Sequence, residues 1–316
     1  MNLFIVRTPL QLLNSIEARD RFHFDEKNVV FCIYRKEIDK KLMKNMLDSS
    51  WNRVFWFKLT PYSRAFYPMI LKSFLNYVHS VDSVYFALVG NVISHIINSI
   101  EFKKSILFDD GNEILGIVST MKKRELKKSK FIHKFFGKRT DSSFLYSSYF
   151  FSIYNLLEYV ADDKFIQNDY RYFKKKIKSF HTKSDTIYFI GSNIVGNYLS
   201  EDIFELRLKQ LIKMYEEKEI LYILHRYEDR TILDNLGIKS ILFENIIEYQ
   251  FFKDKIRPSE ILSFRSSALD TLEILYGSSV SIVSLPLDDF YSSKEIEMSE
   301  LYHYYKLQNR KIIELK

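Results

Sequence analysis

The sequence has 316 residues, 47% of them hydrophobic, with a net charge of +7 and only 8 glycines and 5 prolines. That length suggests two domains, the scarcity of glycine and proline excludes long low-complexity linkers, and the single cysteine, Cys32, excludes an internal disulfide or a cysteine-built zinc site. The basic excess fits an anionic partner such as a nucleotide, a nucleic acid or an acidic membrane surface, or simply a lysine-rich composition.

In chain order, short apolar runs recur and each is followed by a helical pattern. Leu3–Val6 reads as a first strand, and Pro9 to Ala18 as a helix with Leu10, Leu13 and Ile16 at helical spacing. Val29–Tyr34, which holds Cys32 in a core-like setting, reads as a second strand. Val54–Phe57, Val84–Leu88 and Ser105–Phe108 read as further strands. From Lys122 to Arg139 the chain turns basic, with Phe131, Ile132, Phe135 and Phe136 interleaved, and Lys174–Lys178 is a second basic cluster. The junction between domains is expected near residues 170–185, giving domains 1–178 and 179–316. A second series then begins with strands at Ile187–Ile190, Ile220–Leu224, Ser240–Phe243, Glu260–Phe264 and Val280–Leu285. Helices are expected at Glu201 to Tyr215, at Glu244 to Phe252, and from Ser267 to Tyr276, with Gly277 as a C-cap. The tail from Ser293 to Lys316 reads as one or two helices packed back on the first domain.

Strand alternating with helix is the signature of α/β architecture with mostly parallel sheets. Two Rossmann-like domains in tandem fit the pattern, and so does one larger doubly wound sheet. The N-terminal run, broken at Arg7, is too short for a signal peptide. No stretch approaches the ~20 apolar residues of a membrane span. With no disulfide to form, a cytoplasmic location is expected.

Ligands of open α/β sheets bind beyond the carboxyl ends of the strands. The polar residues found there are Asp109-Asp110-Gly111, Gly191-Ser192, His225-Arg226 and Ser266-Ser267. Ser266 and Ser267 precede a helix whose free N–H groups and dipole suit a phosphate. Ser267 and Asp270 also have the spacing of a capping box, so ordinary capping explains them equally. His225 can protonate or stabilise a leaving phosphate, with Arg226 adding charge, or can be a satisfied structural histidine. One of Asp109 and Asp110 can face a cleft as a base, its pKa raised by apolar surroundings, or the pair can be an ordinary turn. No two histidines have the His-x-x-x-His spacing of a metal site, so no metal or other cofactor is expected.

Phe108-Asp109-Asp110-Gly111 resembles the Asp/Glu-Asp/Glu-Gly motif of the bacterial sialyltransferases. His225 falls where those enzymes carry a His-Pro motif, and Ser266-Ser267 where they carry Ser-Ser or Ser-Thr. The segments Thr8-Pro9-Leu10-Gln11-Leu12-Leu13-Asn14 and Phe189-Ile190-Gly191-Ser192 are similar to glycosyltransferase family 52, the lipooligosaccharide and capsule sialyltransferases. The resemblance implies a GT-B fold with two Rossmann-like domains facing a cleft. It implies CMP-sialic acid as donor and a galactose-terminated glycan, lipid-linked, as acceptor, joined through an α2,3 linkage with inversion. It assigns His225 as the acid, Ser266 and Ser267 to the CMP phosphate, and Glu248 to the CMP ribose. Asp110 or Asp109 is the favoured base. Asp202 is held in reserve, because some members place the base after the Gly-Ser segment. The proline after His225 is missing here, since Arg226 stands in its place. The basic-aromatic segments fit attachment to the anionic inner leaflet. No nucleic-acid-binding signature accompanies the charge, and a homodimer is left open. The competing readings are another nucleotide-sugar donor and a non-catalytic capsule-assembly protein.

Overall fold

Strands β1 (Asn2–Val6) and β2 (Asn28–Tyr34) are buried along their whole length. Unbroken apolar runs of this kind belong to parallel sheets covered on both faces. The computed structural model describes residues 1–87, 90–111, 113–123, 138–225 and 228–315. The chain divides into two units, Met1–Phe173 and Lys174–Lys316.

In the first unit, α1 (Pro9–Phe22) follows β1 and α2 (Glu37–Met46) follows β2. β3 (Arg53–Lys58), α3 (Pro61–Ile70), α4 (Lys72–Tyr77), β4 (Ser80–Phe86), α5 (Asn91–Ile97), β5 (Glu101–Phe108) and α6 (Glu113–Lys122) come next. β6 (Tyr149–Ser152), β7 (Phe165–Gln167) and α7 (Arg171–Ile177) complete the series. The seven strands are parallel, in the order β3-β2-β1-β4-β5-β6-β7. The chain runs outward from β1 to β3, then returns to the other side of β1 with β4. The topological switch point therefore lies between β1 and β4. Leu3, Ile5, Val29, Phe31, Val84, Phe86 and Leu107 build the core of this unit, and Cys32 is buried beside them.

The second unit runs β8 (His181–Ile190), α8 (Glu201–Met214), β9 (Glu219–Ile223), α9 (Thr231–Asn235), β10 (Ser240–Ile241) and α10 (Ile247–Lys253). It continues with β11 (Ile256–Ser263), α11 (Ala268–Tyr276), β12 (Ser279–Ser284), α12 (Glu295–Leu307) and β13 (Lys311–Glu314). Its six parallel strands are ordered β10-β9-β8-β11-β12-β13, with the switch point between β8 and β11. Ile187, Phe189, Leu208, Leu262 and Val283 form its core.

Two separate sheets exclude the single large sheet. The division falls inside α7, between Phe173 and Lys174, rather than after Lys178. The tail is not purely helical: after α12 it forms β13, which pairs with β12 and makes the tail part of the second unit. Ile312 and Ile313 pair with Ile282 and Val283 of β12, one isoleucine on each face of the sheet. β6 and β7 were not expected, and most of the basic segment between them and α6, residues 124–137, lies outside the described residues. Gly277 ends α11 in the left-handed conformation at φ 63°, as a helix C-cap requires.

Candidate functional site

In the second unit, Ile190 of β8 is level with Ile223 of β9 on one side and with Ser263 of β11 on the other. Parallel neighbours are ~4.8 Å apart. Gly191-Ser192, His225 and Ser266-Ser267 thus leave the same edge of three adjacent strands, and two of these loops flank the switch point. Backbone bonds fix the level. The Gly191 N–H donates to the Ile223 carbonyl at 2.8 Å, and the Ser263 hydroxyl donates to the Ile190 carbonyl at 2.8 Å.

Ser267 sits at the N-cap of α11 but with helical dihedrals (φ −69°, ψ −15°), and its side chain makes no capping bond. The capping-box expectation fails because Asp270 is drawn away by Arg310, which donates to it at 2.5 Å. The Ser266 hydroxyl accepts from the Ala268 N–H at 3.3 Å. The Ser267 hydroxyl is exposed beside the first-turn N–H groups, a geometry suited to an anion.

A residue passed over in the sequence ties this edge together. The Glu228 carboxylate accepts from the Ser192 N–H at 3.1 Å, the His225 N–H at 2.7 Å and the Tyr222 hydroxyl at 2.9 Å. One side chain therefore holds the loops after β8 and β9 in fixed relation. Burial pushes its pKa up to about 7, against the pull of those donors. Gly191 makes this possible. A Cβ there would lie 2.1 Å from the Glu228 Oε2, 2.6 Å from Tyr222 Cε1 and 2.8 Å from the Ile223 carbonyl oxygen.

Glu248, in the first turn of α10, is only 5% exposed, so it is not a solvated helix residue. Burial pushes its pKa up to about 7, and its own backbone N–H partly offsets this. The Tyr276 hydroxyl donates to the Glu248 carbonyl at 2.6 Å and joins α10 to α11. A buried carboxylate of this kind can accept from ligand hydroxyls. Asp202 is exposed in the first turn of α8, whose N-cap is Ser200. Arg226 lies outside the described residues.

In the first unit the two aspartates part company. Asp109 is 2% exposed and accepts from the Ser152 hydroxyl at 2.5 Å and the Ile153 N–H at 2.6 Å. It clamps the ends of β5 and β6. Burial pushes its pKa up to about 7, with Ser152 and Ile153 opposing. With both oxygens committed to Ser152 and Ile153, it has none to offer an acceptor hydroxyl. Asp110 is half-buried and accepts from the Thr8 hydroxyl at 3.0 Å. Burial raises its pKa, while Gln11, Thr8 and Arg7 favour the charged form.

The motif at residues 8–14 is the partner of the Asp-Asp-Gly turn. Thr8 caps α1 by accepting from the Gln11 N–H at 3.2 Å while also binding Asp110. The Asn14 side chain donates to the Asp109 carbonyl at 3.0 Å and accepts from the Tyr170 hydroxyl at 2.5 Å. Pro9 fills the first helical position, where no N–H is needed. Among the described residues, no group of three or more His, Cys, Asp or Glu side chains is gathered to hold a metal.

No protein-family model matches the sequence, and no curated protein matches it. Solved structures do resemble it. UGT89C1 of Arabidopsis thaliana complexed with UDP-L-rhamnose is 9% identical, with 99% of this chain and 85% of that one covered at a TM-score of 0.51. A putative UDP-N-acetylglucosamine 2-epimerase of Listeria monocytogenes is 12% identical, covering 94% of this chain and 81% of that one at a TM-score of 0.51. The MnaA–UDP structure from S. aureus is 10% identical over 96% of this chain and 87% of that one, with a TM-score of 0.50. At such identities the likeness speaks of fold, and with the two parallel sheets it identifies the chain as a GT-B protein of two Rossmann-like domains.

Proposed function

We propose that this chain is a nucleotide-sugar glycosyltransferase, and specifically an inverting sialyltransferase that moves sialic acid from CMP-sialic acid to a galactose-terminated glycan in α2,3 linkage. The observation that carries it is the switch-point edge of the second unit, where Gly191-Ser192, His225 and Ser266-Ser267 emerge from three adjacent strands. These are the residues that resemble the sialyltransferase motifs, in the same order along the chain. In this reading the N-terminal turn of α11, with Ser266 and Ser267, binds the CMP phosphate. Glu248 accepts from the ribose hydroxyls, and His225 protonates or stabilises the departing phosphate. Asp110 takes the proton from the acceptor hydroxyl as the oxygen attacks the anomeric carbon. One displacement inverts that centre, and CMP leaves.

A second reading is a UDP-sugar donor. It is favoured by the UDP and UDP-rhamnose named for the S. aureus and Arabidopsis structures. Thermal shift separates the two. CMP at a hundredfold excess over its Kd should stabilise the protein by about 2.7 kcal/mol, with or without magnesium, and the Ser266→Ala/Ser267→Ala variant should lose that shift. A shift with UDP and none with CMP would sink the sialyltransferase reading and keep the fold. No shift with any nucleotide would favour the non-catalytic reading.

No helix among the described residues is long and apolar enough to cross a membrane. Peripheral attachment to an anionic leaflet remains part of the proposal. Its supports are the basic-aromatic segment and the exposed side chains Tyr62, Phe66, Met69 and Ile70 of α3. Sedimentation with vesicles containing phosphatidylserine should carry the protein down at low salt and release it at high salt. Absence of binding at low salt would remove the membrane from the account.

A further inference from the structure

The first sheet has its own switch point, and a pocket of about 270 Å³ opens there. Arg7 follows β1 directly, Arg35 follows β2 directly, and Arg64 comes from α3, the helix after β3; all three line the pocket. Two adjacent parallel strands and the helix after a third thus bring three arginines to one concavity. Tyr67 lines it as well, 1% exposed, and its hydroxyl has no hydrogen-bond partner among the described residues.

The charge around this pocket is unbalanced. Elsewhere in the unit, buried or half-buried arginines are paired, Arg19 with Asp20 and Asp48 and Arg21 with Asp169. Among the described residues, none of the three pocket guanidinium groups forms an ion pair. Burial and the nearby Arg35 lower the Arg7 pKa, Arg64 adds to that, and Asp110 and Glu113 offset it in part. Lys138 adds another cation, 5.2 Å above the Tyr67 ring. Arg7, Arg35 and Arg64 repel one another, Asp110 and Glu113 offset that repulsion only in part, and an incoming anion would relieve the rest. Guanidinium groups also match carboxylate and phosphate oxygens geometrically, as ammonium groups do not. The volume suits one charged group or one sugar residue, and falls below that of pockets enclosing a whole drug-sized ligand.

We propose that Arg7, Arg35, Arg64 and the Tyr67 hydroxyl form an anion subsite, and that it holds a carboxylate or phosphate carried by the sugar acceptor. The assignment to the acceptor rests on the glycosyltransferase reading. The anion subsite itself does not. The acceptor is then an acidic glycan, extended at a hydroxyl near its charged group, and a neutral galactoside is a poor substitute.

The test is calorimetric titration of the full chain with three probes: lactose, a lactose carrying a glucuronic acid and a lactose phosphate. Arg35 and Arg64 are exposed, so Arg35→Gln and Arg64→Gln leave the core untouched. The wild-type protein should bind at least one acidic probe about tenfold or more tightly than lactose, and each substitution should remove about tenfold of that preference. The acidic probe that responds identifies the group as carboxylate or phosphate. Equal binding of all three probes overturns the proposal, and so does a preference that survives in the double variant. Loss of CMP-sialic acid affinity in the double variant, with lactose-based binding unchanged, would overturn it by giving the arginines to the donor. CMP shifts measured on the same samples keep the two ideas apart. Acid preference without a CMP shift sinks the sialyltransferase reading and keeps the subsite, whereas a CMP shift without acid preference does the reverse.

Discussion

Asp110→Asn should lower kcat by about 10²–10⁴-fold, the usual contribution of a positioned general base, while leaving the CMP-induced thermal shift intact. The amide keeps an oxygen to accept from the Thr8 hydroxyl, so the turn after β5 should hold its shape. What it loses is the capacity to take a proton. Asp109→Asn makes the contrast. Its carboxylate accepts from both Ser152 and Ile153, and an amide would turn an NH₂ toward one of those donors. That variant should lose stability before it loses chemistry. Rates measured under saturating donor, alongside a melting curve for each protein, distinguish the two effects. Near-normal kcat in Asp110→Asn would remove it as the base and pass the role to Asp202 in the first turn of α8.

Arg19→Ala should cost about 3–5 kcal/mol, the range found when one partner of a buried ion pair is deleted. The Arg19 side chain is fully buried. It donates to Asp48 at 2.7 and 2.9 Å and to Asp20 at 3.1 Å, and its guanidinium lies 4.5 Å over the Trp51 ring. Truncation would remove the Arg19 cation from Asp20, whose side chain is 3% exposed. Arg19→Lys should recover little, because an ammonium cannot reproduce the forked contact with two carboxylates. The chain has only two tryptophans, Trp51 and Trp56, both in the first unit. Tryptophan fluorescence in urea therefore reports the unfolding of that unit alone. A loss below about 1 kcal/mol would show that the network is dispensable.

Much of this architecture was legible because parallel strands covered on both faces read as plain apolar runs, as at Leu3–Val6 and Val29–Tyr34. The strand ends carrying Gly191, His225 and Ser266 were legible for the same reason. β7 was not, being three residues long with no alternation to detect. The separate roles of Asp109 and Asp110 were hidden as well. Adjacent residues on an extended chain point to opposite sides, and only the fold reveals which side holds Ser152. Glu228 escaped because its role depends on Ser192, which lies 36 residues away on the neighbouring loop. The arginines at 7 and 35 could have been found by extending the search for polar strand ends from acids and serines to bases. Arg64 could not, since it reaches the same pocket from within a helix.

The crowding at Gly191 has a consequence for how this protein can change. A substitution there meets Glu228, Tyr222 and the Ile223 backbone oxygen together. Shortening Glu228 would clear one of the three and would release the loops it ties, yet the main-chain oxygen would still stand in the way. Compensation at a single partner is therefore closed, and a lineage carrying this loop can leave glycine at 191 only by re-laying the strand beside it.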